Sequence, residues 1–112
     1  IAVRHFHKFI TTRDQDQPCI SCGKYTTVQA GHFYSAGNHP STKFNEDNVH
    51  GQCKRCNYFL CGNLLPYREN LILKIGQERF DKITLTTQMS KKYGFKWDRF
   101  YLLDVIEKYK NK

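Results

Sequence analysis

Four cysteines, one histidine and two asparagines are the residues whose types and spacing could do chemistry in this chain. Cys19-Ile-Ser-Cys22 and Cys53-Lys-Arg-Cys56 are two C-x-x-C knuckles. Together they supply four thiolates, which close a tetrahedral shell on one structural Zn²⁺. Gly23, directly after the first knuckle, suits the tight turn such a loop needs. Two disulfides or redox C-x-x-C sites are the alternatives. Disulfides need an oxidising compartment, and no signal peptide is expected before the first knuckle. Cys61 is the odd one out and is expected to be a buried free thiol. His32 ends a short apolar-flanked stretch, Asn48 lies five residues before Cys53, and Asn57 directly follows Cys56. A neutral imidazole near pH 7 can take a proton from water. A carboxamide oxygen can ligate a hard cation such as Mg²⁺ or Mn²⁺. The plainer readings are a satisfied strand histidine, a turn asparagine and a polar residue on an early helix turn.

These side chains need elements to hold them. Residues 28–33 read as a strand carrying His32, and the second knuckle is expected to open a helix that carries Asn57 in its first turns. A hairpin, a loop carrying Asn48 and that helix could then meet around one point. Residues 19–57 are rich in Gly, Asn, Ser and Thr, so this stretch needs a staple to fold. Before it, residues 1–13 read as the end of an amphipathic helix, with Val3, Phe6, Phe9 and Ile10 near helical spacing, followed by a polar turn to Pro18. After it, Pro66 suits the first turn of a helix running to a stop near Gly76. A short helix is expected over residues 77–83, residues 84–96 are ambiguous, and a last helix is predicted from Trp97 to about Lys110.

Composition bounds the function. The chain has 112 residues, room for one domain: a helix and turn over 1–18, a zinc-stapled centre over 19–65 and a helical part over 66–112. It begins at Ile1 in what reads as mid-helix, so it is expected to be a fragment of a longer chain. No apolar run approaches a membrane span. Lys and Arg number 18 against 10 Asp and Glu, a formal charge of +8. A surplus of that size on so small a body points to a polyanion, most commonly nucleic acid.

The longer pattern C-x-x-C, G-H, N-x-x-x-x-C-x-x-C-N resembles the His-Asn-His (HNH, ββα-metal) endonucleases. It is closest to the His-Asn-Asn variant of the phage junction resolvase endonuclease VII. The strings RDQDQPCISCG and AGHFYSAGNHPSTKFNEDNVHGQCKRCNYFLCGNLLPYR narrow the resemblance to the NinG (Rap) recombination proteins of lambdoid phages and prophages. The resemblance implies an α+β fold, a zinc-bound treble-clef ββα centre flanked by an N-terminal helix and C-terminal helices. It implies His32 as the general base, Asn48 as the residue that holds the loop and orients the imidazole, and Asn57 as a ligand for a catalytic Mg²⁺ or Mn²⁺. It further implies an endonuclease for branched DNA, a homodimer making two symmetric cuts, and the cytoplasm of a bacterial host.

One position departs from the family pattern. Many HNH relatives carry Asp before the base histidine, as a second metal ligand; here that residue is Gly31. His50 is the first candidate to replace it, with His39 and Asp47 behind it, or substrate phosphate oxygens could complete the shell. An equal alternative makes His50 a strand residue facing phosphate or solvent. Lys54 and Arg55, inside the second knuckle, are expected DNA contacts, and Lys43, Arg68 and Lys74 could extend the track. Tyr34 and Tyr67 could stack on unpaired bases, although core packing is the commoner use of tyrosine. His5 and His7 read as surface residues of the first helix. A non-catalytic zinc DNA-binding module remains the main alternative, favoured by Gly31. A zinc-stapled protein-interaction domain fits the charge poorly.

Overall fold

The computed structural model describes residues 1–96 and 98–111. Helix α1 spans Ala2–Arg13. Strands β1 (Gln29–His32) and β2 (Val49–Gln52) form a two-stranded antiparallel sheet in which Gly31 pairs with His50 and His32 with Val49. A single 3₁₀ turn, Pro40–Thr42, lies in the long connection between them. Then come a π-helical turn, Arg55–Phe59, and helices α2 (Leu64–Ile75), α3 (Gln77–Tyr93) and α4 (Arg99–Tyr109). This is a mixed α+β architecture. Of the last predicted helix, Trp97 lies outside the described residues.

Two apolar clusters flank the sheet. Helices α1 and α4 close over one face, where Phe6, Ile10, Phe44, Val49, Val105 and Tyr109 are buried together. The Phe6 and Tyr109 rings meet nearly edge-to-face at 5.0 Å, a favourable aromatic geometry. Helices α2 and α3 form the second cluster from Ile20, Tyr67, Leu71, Ile75, Phe80 and Ile83. Gly76, at φ 90°, both ends α2 and caps α3. Cys19, Cys53 and Cys56 form a third, separate cluster.

Two expectations are corrected by the backbone. The ambiguous segment 84–96 continues α3 as far as Tyr93. Its Thr and Ser residues, poor helix formers in isolation, turn their hydroxyls onto the preceding turn: Thr86 bonds the Lys82 carbonyl at 2.9 Å, Thr87 that of Ile83 at 2.8 Å and Ser90 that of Thr86 at 2.8 Å. The second knuckle, in turn, opens one π turn rather than an α-helix, closed by a bond from the Leu60 N–H to the Arg55 carbonyl at 2.8 Å. Cys61 and Asn63 then take positive φ, 51° and 42°, and redirect the chain into α2. Cys61 is exposed, not buried, because this turn faces outward.

Candidate functional site

The four knuckle cysteines converge. Their sulfurs all lie within 4.8 Å of one another, and the Cys22 and Cys53 sulfurs are 3.8 Å apart. Zn–S bonds of about 2.3 Å in a tetrahedron put sulfurs about 3.8 Å apart, so the donor set fits one structural metal such as zinc. None of the five cysteines is in a disulfide. Cys19, Cys53 and Cys56 are buried, and Cys22 is exposed.

His32 ends β1, half-buried against α1. Its Nε2 lies 2.9 Å from the Lys43 carbonyl oxygen. A carbonyl only accepts, so Nε2 carries the proton of the neutral ring and Nδ1 keeps the lone pair. Burial lowers the pKa of His32; the Lys43 carbonyl opposes this, and the charges of His7 and Lys43 reinforce it. The ring is therefore a neutral acceptor at pH 7.

Asn48 is fully buried and sets the loop that supplies that carbonyl. Its Nδ2 donates to the carbonyls of Tyr34 and Thr42, both at 3.0 Å, and its Oδ1 accepts from the Tyr34 N–H at 2.8 Å. Thr42 precedes Lys43, so a continuous chain runs from the Asn48 carboxamide to the His32 imidazole. Asn57 is placed elsewhere. Its Nδ2 donates to Gln29 Oε1 at 2.9 Å, and Gln29 begins β1 where His32 ends it, a separation of about 10 Å along a strand.

His50 does not join this group. It is buried, its Nε2 is 2.9 Å from the Asp47 carbonyl and its Nδ1 is 3.1 Å from Arg13 Nη2. Burial, with the charge of Lys74, lowers its pKa to about 4. Both nitrogens are engaged, so His50 is a structural residue and not the replacement ligand. Beside it sits Asp14, whose carboxylate accepts from Arg13 and from the Gly51 N–H at 2.8 Å. Burial alone would raise the Asp14 pKa; these bonds and the charges of Arg13 and Lys74 outweigh it and bring it to about 2. Lys74 lies 3.2 Å from Asp14 and belongs to this cluster rather than to a DNA track. Asp47 is paired with Arg79.

The glycine at position 31 has a steric reason. A Cβ there would fall 2.0 Å from Gln52 Oε1, because Gln52 lies diagonally across the same face. Gln52 Nε2 donates to Ser21 Oγ at 2.8 Å and to the Gly62 carbonyl, and its Oε1 is buried without a hydrogen-bond partner. Among the described residues, the cysteines are the one group of three or more His, Cys, Asp or Glu side chains close enough to share an ion. The residues about Asn57 thus form no ready cage for a catalytic Mg²⁺ or Mn²⁺.

Lys54, just before the π turn, and Arg55, its first residue, are exposed. Arg68 is exposed and lies over the Phe80 ring at 5.2 Å. Lys43 is half-buried, 5.5 Å from the Phe44 ring centre. Neither tyrosine chosen for stacking is available: Tyr67 is fully buried with its hydroxyl donating to the Gly31 carbonyl at 2.6 Å, and the Tyr34 hydroxyl is 2.7 Å from that of Thr84. The residue that sequence reasoning missed is His7. It is half-buried on α1 with its ring 5.8 Å from that of His32, and its pKa is lowered by burial and by Lys43. Its place one residue after buried Phe6, at the flank of the apolar stripe, was the available signal.

No helix among the described residues is long and apolar enough to cross a membrane. No solved structure matches the chain. The protein is similar to "Protein ninG" of Escherichia phage lambda, 52% identical over 77 residues, which are 67% of this chain and 38% of that protein. The ninG proteins of Escherichia phage 933W and Salmonella phage P22 are 51% and 48% identical over the same coverage. The chain thus spans well under half the length of these curated relatives. A family model described as the bacteriophage lambda NinG protein matches residues 2–112, and with that match the chain belongs to the NinG family.

Proposed function

We propose that this domain is an HNH-type DNA endonuclease that acts on branched recombination intermediates such as Holliday junctions or D-loops. The observation that carries the reading is the state of His32: a neutral imidazole, with its tautomer fixed by the Lys43 carbonyl and its lone pair on Nδ1. Such a group is suited to take a proton from water attacking a phosphodiester. Asn48 is the positioning residue, since its bond to Thr42 holds the carbonyl that orients the ring. Lys54 and Arg55, with the overall charge of +8, attract the DNA backbone. Zinc at the cysteines braces the hairpin and takes no part in the chemistry. The family resemblance also implies Mg²⁺ or Mn²⁺ with Asn57 as ligand. No carboxylate shares that place, so most of the cation's oxygen ligands would have to come from substrate phosphate and water.

The test is incubation of the zinc-loaded protein with junction, flap and linear duplex DNA, with and without Mg²⁺. Divalent-dependent cutting, abolished by His32→Ala while binding survives, is the expected result. A dimeric enzyme would make paired symmetric cuts in a junction. A second reading, a zinc-stabilised DNA-binding module without catalysis, is favoured by Gly31 and by the Gln52 side chain that fills its place. It predicts binding and no cutting under any metal.

A further inference from the structure

We infer that Tyr58 and Phe59 form a stacking platform for unpaired bases of DNA, seated beside the second knuckle. This deepens the proposed function and rests on that reading only for the identity of the ligand as branched DNA. Tyr58 is 71% and Phe59 65% exposed. Unlike a scattered exposed residue, these two neighbours and the exposed Leu60 after them form a run of apolar surface. Their rings meet edge-to-face, 5.1 Å apart at 88°, so whichever ring presents its edge keeps both faces clear of the other. The backbone below them is fixed. Cys56 anchors one side, and the Gly62 N–H bonds the Cys56 carbonyl at 2.8 Å. The turn is then closed by the left-handed residues Cys61 and Asn63.

Charge selects the partner. Residues 53–68 contain Lys54, Arg55 and Arg68 and no Asp or Glu. Lys54 and Arg55 also line, with Lys24, Gln29 and Leu60, a cleft of about 610 Å³ next to the platform. Cations that track a phosphate backbone beside exposed aromatic rings are the arrangement by which proteins hold single-stranded nucleic acid. Paired duplex offers no free base face to these rings, whereas a branch point does. Tyr58 directly follows Asn57 in sequence, so a base held here would bring the branch next to Asn57, at the end of β1 opposite His32.

The experiment measures binding to the zinc-loaded protein, without chelator and without added Mg²⁺ or Mn²⁺, by anisotropy, of two labelled DNAs: a junction carrying unpaired thymines at its branch and a fully paired duplex of equal length. Tyr58→Ala, Phe59→Ala and Tyr58→Leu are compared with the parent protein, with Tyr58→Trp as the rescue. Circular dichroism and bound zinc check that each variant is folded. Loss of stacking is expected to weaken junction binding by about 5- to 100-fold and to leave duplex binding unchanged, with Trp restoring it and Leu not. Equal losses on both DNAs, or no loss on either, would overturn the proposal. So would a parent protein whose self-association disappears in Phe59→Ala, which assigns the surface to a second copy. Capture by anionic vesicles that is lost in the same variants, with DNA binding intact, assigns it to lipid. Discrimination that persists without any DNA cutting leaves the platform standing and removes the nuclease.

Discussion

The two faces of the small sheet use histidine in opposite ways. His32 lies on the face that meets α1, where Val49 and Ala30 are packed under Phe6 and Ile10. One of its ring nitrogens is committed, and the other stays an acceptor. His50 lies on the face toward α2, beside Tyr67, and both its nitrogens are committed. Both rings have lowered pKa values, chiefly from burial. A shifted pKa therefore does not distinguish the imidazole proposed as base from a structural one here. The count of engaged nitrogens does.

Four measurements would break or sharpen this contrast. The largest effect concerns the cluster that supports both faces. Zinc bound to four thiolates contributes folding free energy of about 10 kcal/mol or more, so chelation or Cys53→Ser should abolish the cooperative urea transition of the centre. Next come the two histidines themselves. His50→Ala removes one of the bonds of Arg13, leaves the Asp47 carbonyl without its imidazole donor and opens a cavity, and should cost about 3–4 kcal/mol by urea denaturation. His32→Ala loses one partly exposed bond and should cost about 1 kcal/mol. Comparable losses in both variants would erase the distinction.

Acid gives a third, slightly smaller effect. In the unfolded chain His50 takes a proton near 6.5, but in the folded protein only near 4. The unfolded state binds the extra proton in that window, so stability should fall by about 3 kcal/mol as pH drops from about 6.5 to 4. Asp14 works in the window below. Its folded pKa of about 2 lies under the ordinary 3.8, so its contribution of about 2 kcal/mol is lost as pH falls from about 4 to 2. His50→Gln should flatten the upper window and leave the lower one, as followed by thermal melts across pH. The last measurement is at Gly31, where Ala should destabilise by about 1–3 kcal/mol through the clash with Gln52. Removing the neighbour in Gly31→Ala, Gln52→Gly should relieve the clash, since the Gln52 Cβ as well as its Oε1 lies within 3 Å of that place; a penalty unrelieved relative to Gln52→Gly alone would show that Gln52 does not occupy the place.

Much of this was legible in the residues because it rests on local spacing. Two C-x-x-C pairs announce four sulfurs around one ion, and the apolar rhythm of residues 1–13 announces α1. What escaped depends on contacts between distant segments. The role of His50 is set by Arg13, 37 positions away, and Lys74 is drawn into the same cluster by Asp14. Nothing in the neighbourhood of either residue signals that. The Thr-rich stretch of α3 failed for a different reason: hydroxyl bonds to the preceding turn, and the bond from Tyr34 to Thr84, offset poor intrinsic propensity. Of the two tyrosines that could stack on bases, Tyr67 serves the commoner use, core packing, and Tyr34 is half-buried with its hydroxyl tied to Thr84.

The uneven exposure of the sulfur cluster governs how it ages. Three of its thiolates are shielded and Cys22 is open to solvent, so peroxide, alkylating reagents and competing soft metals all meet the same first atom. Ejection of the ion would begin there, and the lifetime of the loaded domain under oxidative stress would be a kinetic property of one side chain at the rim.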